Sequence, residues 1–373
     1  MARICIDARF YSTGTGVARY IKALLHQLQR LDTENEYTVI LKPESMVEWN
    51  SQPHPKNWRV KTLDIVHYSV YEQTKLLSYL NKEKFDLVYF TMFNHPIFYR
   101  GKRVIMIFDL IMHFYPPRPL WHPRTWAYRY MMWHAAHWAH RVLNDSQSAK
   151  DDVIKHLHVP AKKCTVTLLA VEDKFQPEHN VKRFDELKSK FGLTKPFLFY
   201  VNAWRPHKGL PELVEAFLEV KKNHDIQLLI SGKPNPSFPE VIESVTHGQA
   251  QTSDIITPGF ISDEDVISLY SMAEAYINPS HYEGFGLGPL EAMASGCPVI
   301  SAKNSSIPEA VGDAGLYYKT GDSHDLAKKI DTLLADKKLK EELRDKGLAH
   351  VKTFSFEKMA QQTLMVFDEV LKS

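Results

Sequence analysis

Two carboxylates, Glu283 and Glu291, stand with seven residues between them in the stretch His281-Tyr282-Glu283-Gly284-Phe285-Gly286-Leu287-Gly288-Pro289-Leu290-Glu291. Gly284, Gly286 and Gly288 permit a tight loop whose backbone can come close to a ligand. Pro289 suits the first position of a helix, and Gly296 with Pro298 marks its stop. The apolar run Ala275-Tyr276-Ile277-Asn278 before the loop reads as a buried strand. Strand, glycine loop and helix start together leave free N–H groups, which form an anion site. An anion cradle flanked by acids able to bind hydroxyls suits a sugar nucleotide.

A second cluster follows the strand-like Phe197–Val201. In Asn202-Ala203-Trp204-Arg205-Pro206-His207-Lys208-Gly209, two cations sit where a strand ends and a helix with Pro211 in its first turn begins. Arg205 offers a planar fork to a diphosphate and Lys208 a point charge. The plainer reading, a pair of solvated loop cations, is the weaker of the two, because the glycine loop lies in the same domain. The two acids have plainer readings as well. With Gly288 as N-cap, Glu291 falls at the third helical position, where a carboxylate caps backbone N–H groups. Glu283 could be a surface loop acid. No metal site is expected. Asp263 and Asp265 lie in the first turn of a helix after Ser262, where acids belong for dipole reasons. His134, His137 and His140 recur without a nearby Cys or carboxylate.

The elements that must position these groups alternate along the whole chain. Strand-like runs occur at residues 3–7, 37–41, 86–90, 103–108, 141–144 and 165–169, with helical patterns among them. The first is followed by a loop containing Gly14, Thr15 and Gly16 and then a helix from Val17 to Leu31. A polar stretch from Glu172 to Lys195 reads as a linker with a short helix. The alternation then restarts at 197–201, 226–231, 254–257, 275–278 and 299–302, and helices at 323–335, 337–351 and 356–372 close the chain. The predicted fold class is α/β, as two doubly wound parallel sheets with ligands at the carboxyl ends of the strands. The expected divisions are residues 1–172, an acceptor-side domain; 173–352, a donor domain; and 353–373, a helix returning to the first.

Composition agrees with two domains, because 373 residues exceed what one core usually supports. A net charge of +2 gives no bulk argument for nucleic-acid binding, so nucleic acid is not an expected partner. Three widely spaced cysteines fit a reducing compartment. Residues 3–7 read as a strand rather than a leader, and no run of about 18 apolar residues occurs. The expectation is a cytoplasmic protein. One stretch adds to it: Trp126, Tyr130, Trp133 and His137 recur at helical spacing in an Arg-interspersed aromatic segment. Such a stripe packs on the first sheet, or else meets the inner face of a membrane or a lipid-linked acceptor.

These motifs resemble glycosyltransferase family 4, the group 1 retaining enzymes of the two-domain GT-B fold, whose Rossmann-like halves face across a cleft. The resemblance runs over nearly the whole chain. It is carried by Pro279 to Leu287 and Glu291 to Val299, with support from Gly259-Phe260-Ile261-Ser262, Ser306-Ile307-Pro308-Glu309 and Gly14 to Tyr20. The resemblance implies that Glu283 contacts the donor sugar and Glu291 the ribose hydroxyls. Backbone at Gly284, Phe285, Gly286 and Leu287 would face sugar and diphosphate, and Lys208 would bind phosphate. Backbone at Gly259 and Phe260 would meet the base, and Gly14, Thr15 and Gly16 would line the acceptor side. Asp109 keeps the family's position in the first-domain loop. Two departures stand out. Ala203 occupies the place of an arginine usual five residues before the lysine, which leaves Arg205 as the candidate replacement. Phe108 precedes Asp109 where a histidine is common, and His113 lies four residues beyond.

The implied activity moves a hexose, mannose included, from a nucleotide-diphosphate sugar to a hydroxyl of a glycan or glycolipid with retention, as in surface polysaccharide assembly. The donor is the substrate and no cofactor is expected. Catalysis would rest on donors aimed at the leaving diphosphate, with Lys208, Arg205 and Glu283 foremost and Asp109 and His113 beside them. The rivals are a catalytically silent nucleotide-sugar binder and a sugar-nucleotide epimerase.

Overall fold

The central strands are apolar on both faces, which fits parallel strands covered by helices on either side. In the computed structural model, which describes residues 1–14, 16–116, 118–246 and 252–373, they form two separate sheets. The first contains β1 (Arg3–Asp7), β2 (Glu36–Leu41), β3 (Trp58–Thr62), β4 (Leu87–Phe90), β5 (Arg103–Met106), β6 (Arg141–Asn144) and β7 (Cys164–Val166). Its spatial order is β3-β2-β1-β4-β5-β6-β7, with every pairing parallel. The second contains β8 (Phe197–Val201), β9 (Gln227–Ser231), β10 (Ile255–Gly259), β11 (Ala275–Asn278), β12 (Val299–Ala302) and β13 (Gly315–Tyr318). Its order is β10-β9-β8-β11-β12-β13, again parallel throughout. Both sheets therefore reverse direction of growth once, between β1 and β4 and between β8 and β11. Open α/β sheets bind ligands at the carboxyl ends of strands flanking such a reversal.

The chain divides into two compact units, Met1–Leu169 with Ser355–Ser373, and Ala170–Phe354. In the second unit the core gathers Trp204, Leu213, Phe217, Leu228, Ile277 and Ile330 around the sheet. In the first, helix Gly16–Leu31 turns Tyr20, Ile21, Leu24 and Leu28 inward. The terminal helix Phe356–Lys372 packs beside it and over β4 to β6. The Phe367 ring lies tilted against Tyr89, and an ion pair joins Arg141 to Glu369 at 3.0 Å. Cys5, Cys164 and Cys297 are all free and buried.

Helix starts follow their caps. Ser262, Asn180, Asp322 and Ser355 each accept a backbone N–H from inside the helix that follows. Strands β3 and β13 are absent from the sequence reading, and both are sheet edges. Trp58-Arg59-Val60-Lys61-Thr62 carries two cations in five residues and is mostly solvent-facing, so its apolar signal is weak.

Helix Pro123–Trp138 overturns the expectation that its aromatic stripe packs on the sheet. It buries Thr125, Met132, Ala135 and Ala136 instead, and leaves Trp126, Tyr130 and Trp133 exposed. That face joins the core of the first unit with Phe90, Ile105 and Val142, and the aromatic bulk is turned outward. No helix among the described residues is long and apolar enough to cross a membrane.

Candidate functional site

At the reversal point of the second sheet, the ends of β8 and β11 are bound to each other by side chain and by backbone. After β8 the chain passes buried Trp204 and exposed Arg205, then makes a single turn, Pro206–Lys208. Gly209 follows at φ +65°, and a Cβ there would fall on the Pro279 carbonyl oxygen, so only glycine fits. Helix Leu210–Val220 then begins, with Pro211 in its first turn. This geometry delivers the Lys208 ammonium to Glu283, whose Oε1 lies 2.7 Å from Nζ, with both side chains largely buried. The backbone N–H of His281 donates to the His207 carbonyl at 2.7 Å and ties the same two strand ends.

Burial alone would raise the Glu283 pKa, but the Lys208 charge and hydrogen bond outweigh it, and the carboxyl titrates below its ordinary value. His207 is pushed down to about 4, by burial first and by the adjacent Lys208 charge second, so it is neutral at pH 7. Lys208 and Glu283 thus form a matched pair of buried opposite charges.

The glycine loop leads from this pair into helix Leu287–Ala294, with Gly286 as N-cap at φ +107°. The helix begins before Pro289, which corrects the placement of Glu291. It occupies the fifth helical position, not the third, so the capping explanation fails. The side chain is buried. Phe285 is buried with its ring edge toward Phe354. Gly284 and Leu287 are only partly covered.

Of the residues that brace the loop, Asn304, Ser305 and Glu212 were not singled out in the sequence, and Ser306 and His281 were named there without this role. The Ser305 hydroxyl accepts from the Glu283 N–H at 3.0 Å, and the Ser306 hydroxyl donates to the Glu283 carbonyl at 3.0 Å. Asn304 Nδ2 donates to the Ser280 carbonyl at 2.9 Å. Ser305 itself holds φ +40°, a costly backbone for a residue with a side chain. His281 Nε2 lies 2.7 Å from the buried Glu212 carboxylate, which also accepts from the Gly321 N–H. The contacts from 304–306 are visible only once β12 is placed beside β11.

Gly259 ends β10 at φ +82°, and its carbonyl accepts from the Gly232 N–H at 2.9 Å. The Phe260 side chain that follows is 83% exposed. Among the acids considered for metal, Asp265 is paired with both Arg183 and Lys190, and Asp263 with Lys174. His134, His137 and His140 have separate partners in His95, the Trp133 carbonyl and the Arg103 N–H.

In the first unit Gly14 is exposed at φ +65° and Gly16 opens its helix; Thr15 lies outside the described residues. Asp109 Oδ1 accepts from the Ile111 N–H at 2.8 Å, which starts the short helix Ile111–Phe114 that carries His113. The His113 pKa is lowered, by burial and then by Arg129. Phe108 packs edge-on against Tyr20.

The reversal point of the first sheet holds a network that the sequence reading did not single out. Arg9, fully buried after β1, bonds Asp7 through Nε and Nη2, both at 2.8 Å, and Glu72 through Nη1 at 3.0 Å. Asn94, beyond β4, donates to Glu72 at 2.6 Å. Asp7-x-Arg9 at a strand end was a readable hint, whereas Glu72 and Asn94 lie far off in sequence.

Residues 181–350 match the family model of group 1 glycosyl transferases, and residues 14–174 match that of glycosyltransferase family 4. The chain is a group 1 glycosyltransferase of the family 4 type. The glycosyltransferase is 29% identical over 284 residues to O-antigen chain mannosyltransferase B of Escherichia coli, covering 74% of each chain. It is 28% identical over 232 residues to the serotype-specific mannosyltransferase WbdA of Escherichia coli, covering 61% of this chain and only 28% of that one. The crystal structure of HepE from Anabaena in complex with UDP-glucose matches with a TM-score of 0.77 at 17% identity, covering 99% of this chain and 100% of that chain. With its two parallel Rossmann-like sheets, the glycosyltransferase has the GT-B fold.

Proposed function

We propose that the glycosyltransferase moves a hexose, with mannose the favoured sugar, from a nucleotide-diphosphate donor to a hydroxyl of a glycan or lipid-linked glycan, with retention at the anomeric carbon, in surface polysaccharide assembly. The observation that carries the donor assignment is the Lys208–Glu283 pair at the reversal point of the second sheet, beside the start of helix Leu287–Ala294. The mannosyl assignment is supported by the names of the relatives.

In this reading the paired state keeps both groups oriented until the donor arrives. The diphosphate takes over the Lys208 ammonium, and Arg205 adds a second cation from the same strand end. Glu283 is then released to accept sugar hydroxyls. Amides of Gly284 to Leu287 face the sugar and diphosphate, Glu291 the ribose, and the backbone at Gly259 and Phe260 the base. Preorganised donors of this kind are worth about 3–4 kcal/mol each where charge develops on the leaving oxygen. The first unit would serve the acceptor, through the Gly14–Gly16 segment, Asp109 and His113.

The test is a thermal-shift screen over nucleoside diphosphates and their sugar conjugates, followed by assay of nucleoside diphosphate release and of the anomeric linkage formed. Stabilisation by one conjugate, with turnover abolished in Lys208→Ala and a retained anomeric configuration in the product, supports the reading. Tight binding without turnover on any acceptor, or an inverted product, overturns it.

A further inference from the structure

Tyr276 lies within β11, fully buried, with its ring at a right angle to that of Tyr270 and centroids 5.3 Å apart. Its phenol reaches the start of helix Leu287–Ala294. A Cβ placed on Gly288 would fall 2.6 Å from the Tyr276 hydroxyl oxygen. Gly288 and Glu291 are three apart on that helix and so share a face. The hydroxyl has no hydrogen-bond partner among the described residues. Burial first, and then the charges of Glu283 and Glu291, hold the phenol well above its ordinary range. A buried hydroxyl without a partner is a standing cost that phenylalanine at this position would not carry. The fold therefore keeps a hydrogen-bond donor beside an acid whose present partner is Lys208.

Glu283 has a use for that donor. Its Oε1 accepts from the Lys208 ammonium at 2.7 Å, with both side chains largely buried. A diphosphate that draws the ammonium away leaves a buried carboxylate without its cation, the costly way to open such a pair. A phenol that donates to the carboxylate offsets part of that cost, because hydrogen bonds to charged groups are the stronger kind. A neutral donor also suits the task better than a second cation. It holds the carboxylate in place and leaves its remaining lone pairs to sugar hydroxyls.

We propose that Tyr276 is a positioning residue for Glu283: when the diphosphate takes Lys208, the Tyr276 hydroxyl donates to the Glu283 carboxylate and holds it toward the sugar. The proposal rests on the donor reading above and supplies the group that lets the ion pair open. It also accounts for glycine at 288, where a side chain would crowd the phenol.

The first experiment uses no ligand. In urea unfolding of the full chain, Tyr276→Phe leaves the parent equally stable or more so, since only an unpaired hydroxyl is lost. In Lys208→Met, where the pair is already open, the same substitution lowers the folded-to-unfolded ratio by about tenfold or more. Gly288→Ala destabilises the parent and is better tolerated in Tyr276→Phe, where the hydroxyl it would meet is gone. Equal effects of Tyr276→Phe in the two backgrounds, or a cost of Gly288→Ala that Tyr276→Phe does not relieve, overturn the proposal. The second experiment keeps Lys208 and titrates Tyr276→Phe with uridine and guanosine diphosphate by calorimetry. The affinity of whichever nucleotide the parent binds falls by about tenfold at an unchanged unfolding midpoint, a combination that a merely structural role would not produce. Unchanged affinity overturns the proposal. Failure of the parent to bind either nucleotide counts against the donor reading alone, because the urea experiment decides the role of Tyr276 without one.

Discussion

The Lys208 ammonium lies 2.7 Å from the Glu283 carboxylate, so one ion pair closes the gap between the ends of β8 and β11. Each partner is buried enough that losing the other strands a charge. Breaking such a pair costs about 3–5 kcal/mol, whereas removing both charges can be close to neutral.

A double-mutant cycle therefore separates the structural role of the pair from its role toward substrate. Lys208→Met and Glu283→Gln are each expected to lower stability, and the double variant to recover most of that loss. Turnover behaves otherwise: Lys208→Met falls by about 10²–10³, and the double variant recovers none of it. Urea unfolding and nucleoside diphosphate release, measured on the same four proteins, give both cycles. Recovery of turnover in the double variant would show that Lys208 acts only by pairing.

Acid sensitivity follows from buried histidines before any carboxylate. His95 is pushed down to about 3, by burial and then by Arg103, and His207 down to about 4. Unfolded, each takes up a proton near pH 6.5 that the folded state refuses. The unfolded state then binds more protons, so stability falls with falling pH, by up to about 1.4 kcal/mol per pH unit for each such group. The loss runs from about pH 6.5 down to the two folded values. Glu283 adds its own loss later: its stabilisation is complete above the ordinary carboxylate value of 4.5 and vanishes as pH drops through its lower folded value. A flat unfolding free energy between about pH 6.5 and 5 would contradict this ordering.

What could be read beforehand depended on how local the cause was. The glycine loop and its acids were legible because strand, loop and helix follow one another within about twenty residues. Helix Asp263–Met272 starts where expected, directly after Ser262, because Ser262 caps it and acids fill its first turn. The register of Glu291 was misread because Pro289 pointed to a later start, while Gly286, at φ +107°, begins the helix earlier. Periodicity found the stripe Trp126, Tyr130, Trp133 but could not choose between it and the smaller Met132–Ala135–Ala136 face. Packing volume against the sheet decided that, and it is a tertiary quantity.

Gly209 tests whether the site depends on backbone as well as on charge. It sits at φ +65° between Lys208 and the helix start, with the Pro279 carbonyl where a side chain would go. Gly209→Ala is expected to cost several-fold more stability than Gly14→Ala, where φ is also +65° but the space around a Cβ is open. Donor affinity by thermal shift should fall with it, because displacing Pro279 moves the Glu283 loop away from Lys208. Equal costs at the two glycines would mean that the φ angle, and not the contact, governs the site.

Arg9 makes the matching prediction for the first sheet. Its guanidinium, fully buried, carries two carboxylates, Asp7 and Glu72, and Asn94 shares Glu72. Burial holds the Glu72 carboxyl above its usual range in spite of Arg9. Glu72→Gln keeps an amide oxygen to accept from Arg9 and Asn94 while removing an anion the site tolerates poorly, so its cost should stay within about 1 kcal/mol. Arg9→Met leaves both acids without their cation, with only the Asn94 amide still bonded to Glu72, and should cost about 3–5 kcal/mol. Urea unfolding of the two variants settles the order. A larger cost for Glu72→Gln would mean that the segment from Glu72 onward is held to β1 by charge, and that hydrogen bonding alone cannot anchor it.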